Sequence, residues 1–585
     1  HHPVELYQLR NMHHTVKCTG WEHASAGESA HPGKHVSSSE NTSTDIEKPP
    51  LHQKGWFFGL IRCRSEQNPR GLPLGAGHNA TPSTRPLEKR QVKHDLKDRL
   101  LHLRKQSEAL EPNATQREEL RRSVLAYTEE FLEQINDHEK SPAFRHEWIR
   151  KEETETDPFH APALEIGDLM SRLKHELDDE GLNPASGGHL GYIPGGGIYA
   201  SSLADYIAAV NNKYAGIYFV SPAAVRMEHA LLRSTARLIG YPPETVGNIA
   251  SGGSIANLIC LVSAREALDI TPETIRKTVI YSSEHAHHCL HKAVRIGGLK
   301  EAVWRDVPLD ENFRMQPGRL REMILDDKAK GLRPALLIAS AGTTDMGAID
   351  PLQELADIKE EFGMWMHVDA AYGGYFMLLD DLAPRFRGIE RSDSAVLDPH
   401  KGLFLPYGTG IALVKHPEPV LKAHGYTANY MQDAQSDDLE LSPADLSPEL
   451  TKHFRALRMW LPLRLHGVEP FRAALEEKRL LALYVADELR TIPHVELLCE
   501  PELSVVTFRI AVGDETRNDQ RSEQLLASIH KDGRVFLSSS RVNGKYVLRC
   551  AILSFRTHLE TVDEALRQIR AFAEQLPQPA VQMEE

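Results

Sequence analysis

The chain has 585 residues, 41% of them hydrophobic and 26% charged, with a formal net charge of -14. This is the balance of a globular protein too long for one core, so two or three packed units plus tails are expected. The acidic excess argues against nucleic-acid and anionic-membrane partners, and no apolar run approaches the ~20 residues that span a bilayer. The six cysteines (Cys18, Cys63, Cys260, Cys289, Cys499 and Cys550) lack paired spacing. They read as reduced thiols of a cytoplasmic protein, with neither a disulfide frame nor a metal site.

Residues 1–92 are rich in Ser, Thr, Pro, Gly and His and poor in periodic apolar positions, so a disordered tail is expected. A helical segment over 93–189 follows. Its first run carries Leu96, Leu100, Leu101 and Leu103, its second Leu120, Val124, Leu125, Tyr127, Phe131 and Leu132, with Pro112 and Asn113 between. That pattern predicts a helical hairpin whose apolar stripe is covered elsewhere, as by a partner subunit. Asn113 also heads an Asn-Ala-Thr glycosylation match, read as chance in a chain showing no signal peptide.

Residues 190–460 are predicted to form a large α/β domain. Short apolar runs at 278–281, 335–339, 364–368, 394–397 and 410–414 alternate with helical stretches, which implies a mainly parallel sheet covered on both faces. Residues 461–585 are predicted to form a small α+β domain, with strands at 505–510 and 546–552 and a helix at 562–574. Ligands of such parallel sheets sit beyond the carboxyl ends of the strands.

The chemistry gathers at those ends. Asp369 stands in His367-Val368-Asp369-Ala370-Ala371-Tyr372, and Lys401 closes Asp398-Pro399-His400-Lys401 thirty-two residues later. Unpaired charges in apolar, strand-like sequence are costly, so both demand a partner. Pyridoxal 5'-phosphate (PLP) is such a partner: its aldehyde takes a lysine amine and its ring nitrogen is held protonated by a carboxylate. Burial and a nearby pyridinium are expected to lower the Lys401 amine toward nucleophilicity. A helix-capping carboxylate is the plainer reading of Asp369. Ser251-Gly252-Gly253-Ser254 opens an apolar helix, a geometry that offers backbone N–H groups to a phosphate. Thr343 and Thr344 could add hydroxyl contacts. Of His285, His287 and His288, one imidazole could stack on the ring; metal binding is the rival and lacks an acidic or Cys partner at suitable spacing.

Together these motifs resemble the group II PLP-dependent amino-acid decarboxylases, which include the aromatic-L-amino-acid, tyrosine, histidine and glutamate decarboxylases. Gly191-Tyr192-Ile193-Pro194-Gly195, Phe454-Arg455-Ala456-Leu457-Arg458-Met459-Trp460 and Val547-Leu548-Arg549-Cys550 match family blocks in order, and the likeness runs over 96–576. It implies PLP fold type I, the aspartate-aminotransferase-like fold, in a homodimer that exchanges the N-terminal helical segment. It also implies Lys401 as the Schiff-base lysine, Asp369 as the ring-nitrogen partner and His287 as the stacking histidine. Gly253, Ser254, Thr344, Asp398 and His400 would hold the cofactor, and Tyr192 and Pro194 would line the substrate side-chain pocket.

The implied reaction is loss of CO2 from an L-amino acid, most readily an aromatic one, to give the amine. Family members return the proton from a Tyr on a mobile loop, placed here at 425–453. The stretch 431–453 contains no Tyr, although Tyr426 and Tyr430 precede it and His453 closes it. This departure leaves open oxidative decarboxylation-deamination to an aldehyde. A third reading, from another class, is a PLP-binding scaffold without catalysis.

Overall fold

The computed structural model describes residues 85–137, 139–145, 159–425 and 440–576, with only the backbone course for 85–93. The chain divides into two compact units, 1–99 and 100–585. Of the first only the stretch from Arg85 is described, and it is helical: the helix Arg85–Ser107 starts inside the region expected to be irregular. All that follows belongs to the second unit.

The break at Pro112 is real and is stabilised by Asn113. Its Oδ1 accepts from the N–H groups of Thr115 (3.0 Å) and Gln116 (3.1 Å), while Gln116 Oε1 accepts from the Asn113 N–H at 2.9 Å. This reciprocal cap opens the helix Ala114–Gln134. Leu120, Val124 and Leu125 on that helix remain exposed.

The large sheet has seven strands: β1 (Val246–Ala250), β2 (Thr278–Ser282), β3 (Val303–Asp306), β4 (Arg333–Ser340), β5 (Trp365–Asp369), β6 (Ser394–Leu397) and β7 (Gly410–Val414). Their spatial order is β1-β7-β6-β5-β4-β2-β3. β7 runs antiparallel to both its neighbours, and the other pairings are parallel. Side chains alternate between two cores. Leu336, Ile338 and Val396 join one with the helix Gly253–Ala267, whereas Leu337, Ala339 and Leu397 join the other with the helices Pro222–Leu238 and Leu352–Phe362. A strand buried on both faces reads as an unbroken apolar run, which is why five strands were legible. β1 escaped notice because it carries Gly247 and Asn248, and β3 because it is a half-buried edge with Arg305 and Asp306.

A five-stranded sheet holds Val495–Leu497, Val505–Ile510, Lys545–Ala551, Phe536–Val542 and His189–Leu190 in that order, all antiparallel except the last pair. Helices Glu469–Arg490, Glu515–Asp532 and Leu559–Ala573 bury their apolar stripes against it. The His189–Leu190 strand pairs with Phe536 and Leu537, so the chain enters the large sheet only after contributing to the small one. Among the described residues no helix is long and apolar enough to cross a membrane.

Candidate active site

Parallel pairing brings the carboxyl ends of the strands to one edge, and there they enclose a cavity of about 330 Å³. β5 ends at Asp369. β6 leads into Asp398 and the single turn Pro399–Gly402, which carries Lys401. β4 contributes Ser340 and, just beyond it, Thr343 and Thr344; β2 leads to His287 and Cys289; β1 leads to the turn Ser251, Gly252, Gly253 and Ser254. β7 begins at this edge, and Tyr407 and Gly408 before it close the ring.

Lys401 Nζ lies 3.2 Å from Asp398 Oδ2. Burial acts to lower the Lys401 amine, but the charges of Asp398 and Asp369 outweigh it and hold the ammonium above the ordinary lysine range. The lowering expected from sequence combined burial with a cofactor pyridinium; the protein's own two carboxylates act in the opposite sense. Asp369 is buried. Its Oδ1 accepts from the Ala371 N–H at 3.1 Å, a local turn contact, so it does not cap the following helix, which begins at Gly374; its Oδ2 accepts from Asn257 Nδ2 at 3.3 Å.

The three histidines separate cleanly. His287 caps the helix His288–Ile296, accepting the Cys289 N–H on Nδ1 at 3.3 Å, and lines the cavity; burial lowers its imidazole. His288 is exposed, and His285 stacks on Phe313 with ring centroids 5.6 Å apart. No cluster of three or more metal-ligating side chains occurs among the described residues.

The turn before the helix Gly253–Ala267 is built for close approach. Gly252 has φ +145°, which L side chains rarely adopt, and a Cβ on Gly253 would come within 2.8 Å of Asp398 Oδ2. The N–H groups of Gly253 and Ser254, the first of that helix, have no acceptor within it, and both residues line the cavity. His400 lines the same cavity and donates from Nδ1 to the Thr409 carbonyl at 2.5 Å. Arg458 braces this corner, donating to the Tyr407 carbonyl (2.9 Å) and Thr409 Oγ1 (3.2 Å) while its Nε holds Asp205 at 2.8 Å.

Tyr192 and Pro194 do not line this cavity. Pro194 is buried elsewhere, and Tyr192 is 58% exposed in a left-handed conformation at φ 55°. Their segment touches the site through the Gly195 N–H, which donates to the Tyr407 hydroxyl at 3.1 Å. Of the stretch placed at 425–453, residues 426–439, with Tyr426 and Tyr430, lie outside the described residues. Residues 440–453 carry the turn Pro443–Leu446 with both end residues buried, a buried Lys452 and an exposed His453.

Residues 188–511 match the family profile described as the pyridoxal-dependent decarboxylase conserved domain. The chain belongs to this family. It is 31% identical over 391 residues to an aromatic-L-amino-acid decarboxylase of Bacillus atrophaeus, covering 66% of this chain and 81% of that one. It is 29% identical to a phenylacetaldehyde synthase of Petunia hybrida, covering 65% and 79%. The structure of Catharanthus roseus tryptophan decarboxylase with L-tryptophan superposes with a TM-score of 0.72 at 26% identity, covering 80% of this chain and 100% of that one.

This pyridoxal-dependent decarboxylase is thus a carboxy-lyase of amino acids, and its cofactor is PLP. The cavity suits that group. A glycine turn at a helix start matches a phosphate, a carboxylate that only accepts matches a protonated ring nitrogen, and an amine matches an aldehyde. Sequence reading missed Asn257, Cys289, Tyr407 and Arg458. Asn257 carried a signal as an amide among mostly apolar buried positions of its helix, and Arg458 as a member of the block from Phe454 to Trp460.

Proposed function

We propose that this enzyme removes CO2 from an aromatic L-amino acid to release the amine, and that it works as a homodimer. The observation that carries the reading is one cavity that joins the Lys401 amine, the Asp369 carboxylate and the glycine turn. PLP supplies an aldehyde that captures the substrate amine and a cationic ring that accepts the electron pair left when CO2 departs.

The protein's own groups do the rest. Lys401 would hold the cofactor aldehyde until substrate replaces it, and Asp369 would keep the ring nitrogen protonated. His287 would lie against the ring face. Gly253, Ser254, Thr344, Asp398 and His400 would hold the phosphate side, and the segment of Tyr192 and Pro194, outside the cavity, would act on the substrate side through the Gly195 N–H on Tyr407. Among the described residues lining the cavity Lys401 is the single Lys or Arg, so an acidic substrate side chain meets no second cation. The absence there of a fixed guanidinium also favours decarboxylation, because tight carboxylate binding stabilises the ground state.

The names of the relatives support an aromatic substrate. The phenylacetaldehyde synthase among them, with the missing Tyr in 431–453, favours a second reading in which the product is an aldehyde. Exposed apolar residues support the dimer: Tyr206, Ile207 and Val210 on the helix Tyr199–Asn211, and Phe219 and Val220 beyond it.

The test is CO2 release from the twenty amino acids with product identification. Amine from an aromatic substrate supports the first reading. Aldehyde with ammonia and peroxide supports the second, and release from glutamate alone overturns the aromatic assignment. Borohydride trapping should label the peptide containing Lys401; a label elsewhere refutes the site. Light scattering should give twice the chain mass, and a monomer refutes the dimer.

A further inference from the structure

Positions 365, 367 and 369 of β5 point to the face covered by the helix Gly253–Ala267, since side chains alternate along a strand. Met366 and Val368 turn to the opposite core. On the first face a buried hydrogen-bonded chain leads to Asp369. Trp365 Nε1 donates to Ser394 Oγ at 3.0 Å, Ser394 Oγ lies 2.9 Å from His367 Nδ1, His367 Nε2 lies 2.7 Å from Asn257 Oδ1, and Asn257 Nδ2 donates to Asp369 Oδ2 at 3.3 Å.

The direction of every bond follows from the two ends. An indole N–H can only donate, so the Ser394 hydroxyl hydrogen is left for His367 Nδ1. A carboxylate can only accept, so Asn257 turns its NH2 to Asp369 and its oxygen to His367, whose Nε2 must carry the hydrogen. Burial lowers His367 to about 4, so the imidazole is neutral, and with its hydrogen on Nε2 its Nδ1 accepts from the Ser394 hydroxyl. Every dipole therefore presents its positive end toward Asp369, and such chains strengthen one another in a buried setting.

We propose that Asn257, His367 and Ser394 are positioning residues that orient the Asp369 carboxylate and stabilise its negative charge, and so set how tightly the cofactor ring is held. This rests on the reading that Asp369 faces the ring nitrogen. A purely structural role would satisfy buried polar groups without affecting the cofactor.

The experiment measures apoenzyme affinity for PLP, the visible absorbance of the bound cofactor, and kcat and KM for Asn257→Leu, His367→Phe, His367→Gln and Asp369→Asn. Asn257→Leu and His367→Phe should weaken PLP binding by about tenfold or more. They should shift the absorbance in the same sense as Asp369→Asn and lower kcat more than they raise KM. His367→Gln, whose amide can donate to Asn257, should recover most of the loss. If Asp369→Asn changes affinity and absorbance while Asn257→Leu and His367→Phe match the wild type, the chain is overturned and the Asp369 reading stands. If Asp369→Asn itself matches the wild type, that reading falls. Equal deficits in His367→Phe and His367→Gln also overturn the proposal. Should the larger changes prevent folding, Ser394→Ala decides: about a threefold loss of affinity supports the chain, and wild-type affinity refutes it.

Discussion

Replacing Lys452 by Met tests whether the segment after residue 440 is clamped to the sheet that bears the glycine turn. The Lys452 and Glu228 side chains are 0% and 1% exposed. Lys452 Nζ donates to Glu228 Oε1 and, at 2.9 Å, to Asn248 Oδ1, while Glu228 Oε1 also accepts the Ile249 N–H at 3.0 Å. Asn248 in turn donates to the Pro443 carbonyl at 3.0 Å. One ion pair thus joins the helix Pro222–Leu238, β1 and the segment around Pro443. Burial pulls the Lys452 amine down, and the charge of Glu228 opposes it. Met fills similar volume but leaves Glu228 charged, buried and short of its main partner, a situation that costs about 3–5 kcal/mol. Because Met keeps the apolar contacts of the stem, the expected loss lies near the lower end, about 3 kcal/mol. Adding Glu228→Gln removes the stranded charge and keeps an acceptor for Ile249, so the double variant should recover more than half. The assay is urea unfolding followed by tryptophan fluorescence and circular dichroism at fixed PLP, because bound cofactor itself stabilises the folded state. A loss below about 1 kcal/mol for Lys452→Met, or a double variant no better than the single one, would refute the reasoning. Since β1 leads straight into Gly252 and Gly253, weaker PLP binding should accompany the loss of stability.

Three further outcomes are expected. Burial lifts the Asp350 carboxyl to about 6, against the Met315 and Ser340 N–H groups that pull it down. The folded state then holds this proton more tightly than the unfolded chain, so the penalty is full above pH ~6 and is relieved as pH falls, by about 2 kcal/mol at pH ~4. Asp350→Asn removes this titration, so the wild-type-minus-variant stability should rise by that amount from pH 7 to pH 4, and a flat difference would contradict it. Arg549 is buried and donates to the carbonyls of Tyr192 (3.0 Å), Asp345 (3.1 Å) and Thr344 and to Ser538 Oγ at 2.9 Å. Ser538 Oγ in turn accepts the Tyr192 N–H at 3.0 Å. Lys cannot span this fork, so Arg549→Lys should raise KM about tenfold, and an unchanged KM would show that the Tyr192 segment is held by other means. Gly253→Val places a Cβ 2.8 Å from Asp398 Oδ2 and should weaken PLP binding at least about tenfold, as read by fluorescence titration of the apoenzyme.

What could be read from sequence shares one physical origin. Strands β2, β4, β5, β6 and β7 are buried on both faces, so burial wrote them as apolar runs. Asp369 and Lys401 stood out because charge within such runs is costly unless matched. Alternation of strand and helix then implied parallel pairing and one functional edge, and the structure encloses its cavity there.

Other features depend on neighbours distant along the chain, and only folding supplies them. The Lys401 ammonium is held high because Asp369, from the neighbouring strand, joins its chain neighbour Asp398 beside it, whereas the sequence reading weighed burial and a cofactor pyridinium. Asn257, Ser394 and Trp365 form one buried chain because β5, β6 and a helix that begins more than a hundred residues before Trp365 share a face. Composition alone did not separate His287 from His285 and His288; the family resemblance singled it out, and in the fold it lines the cavity while His285 turns to Phe313. Local composition records the cost of burying a group; which partner offsets that cost is decided by tertiary packing.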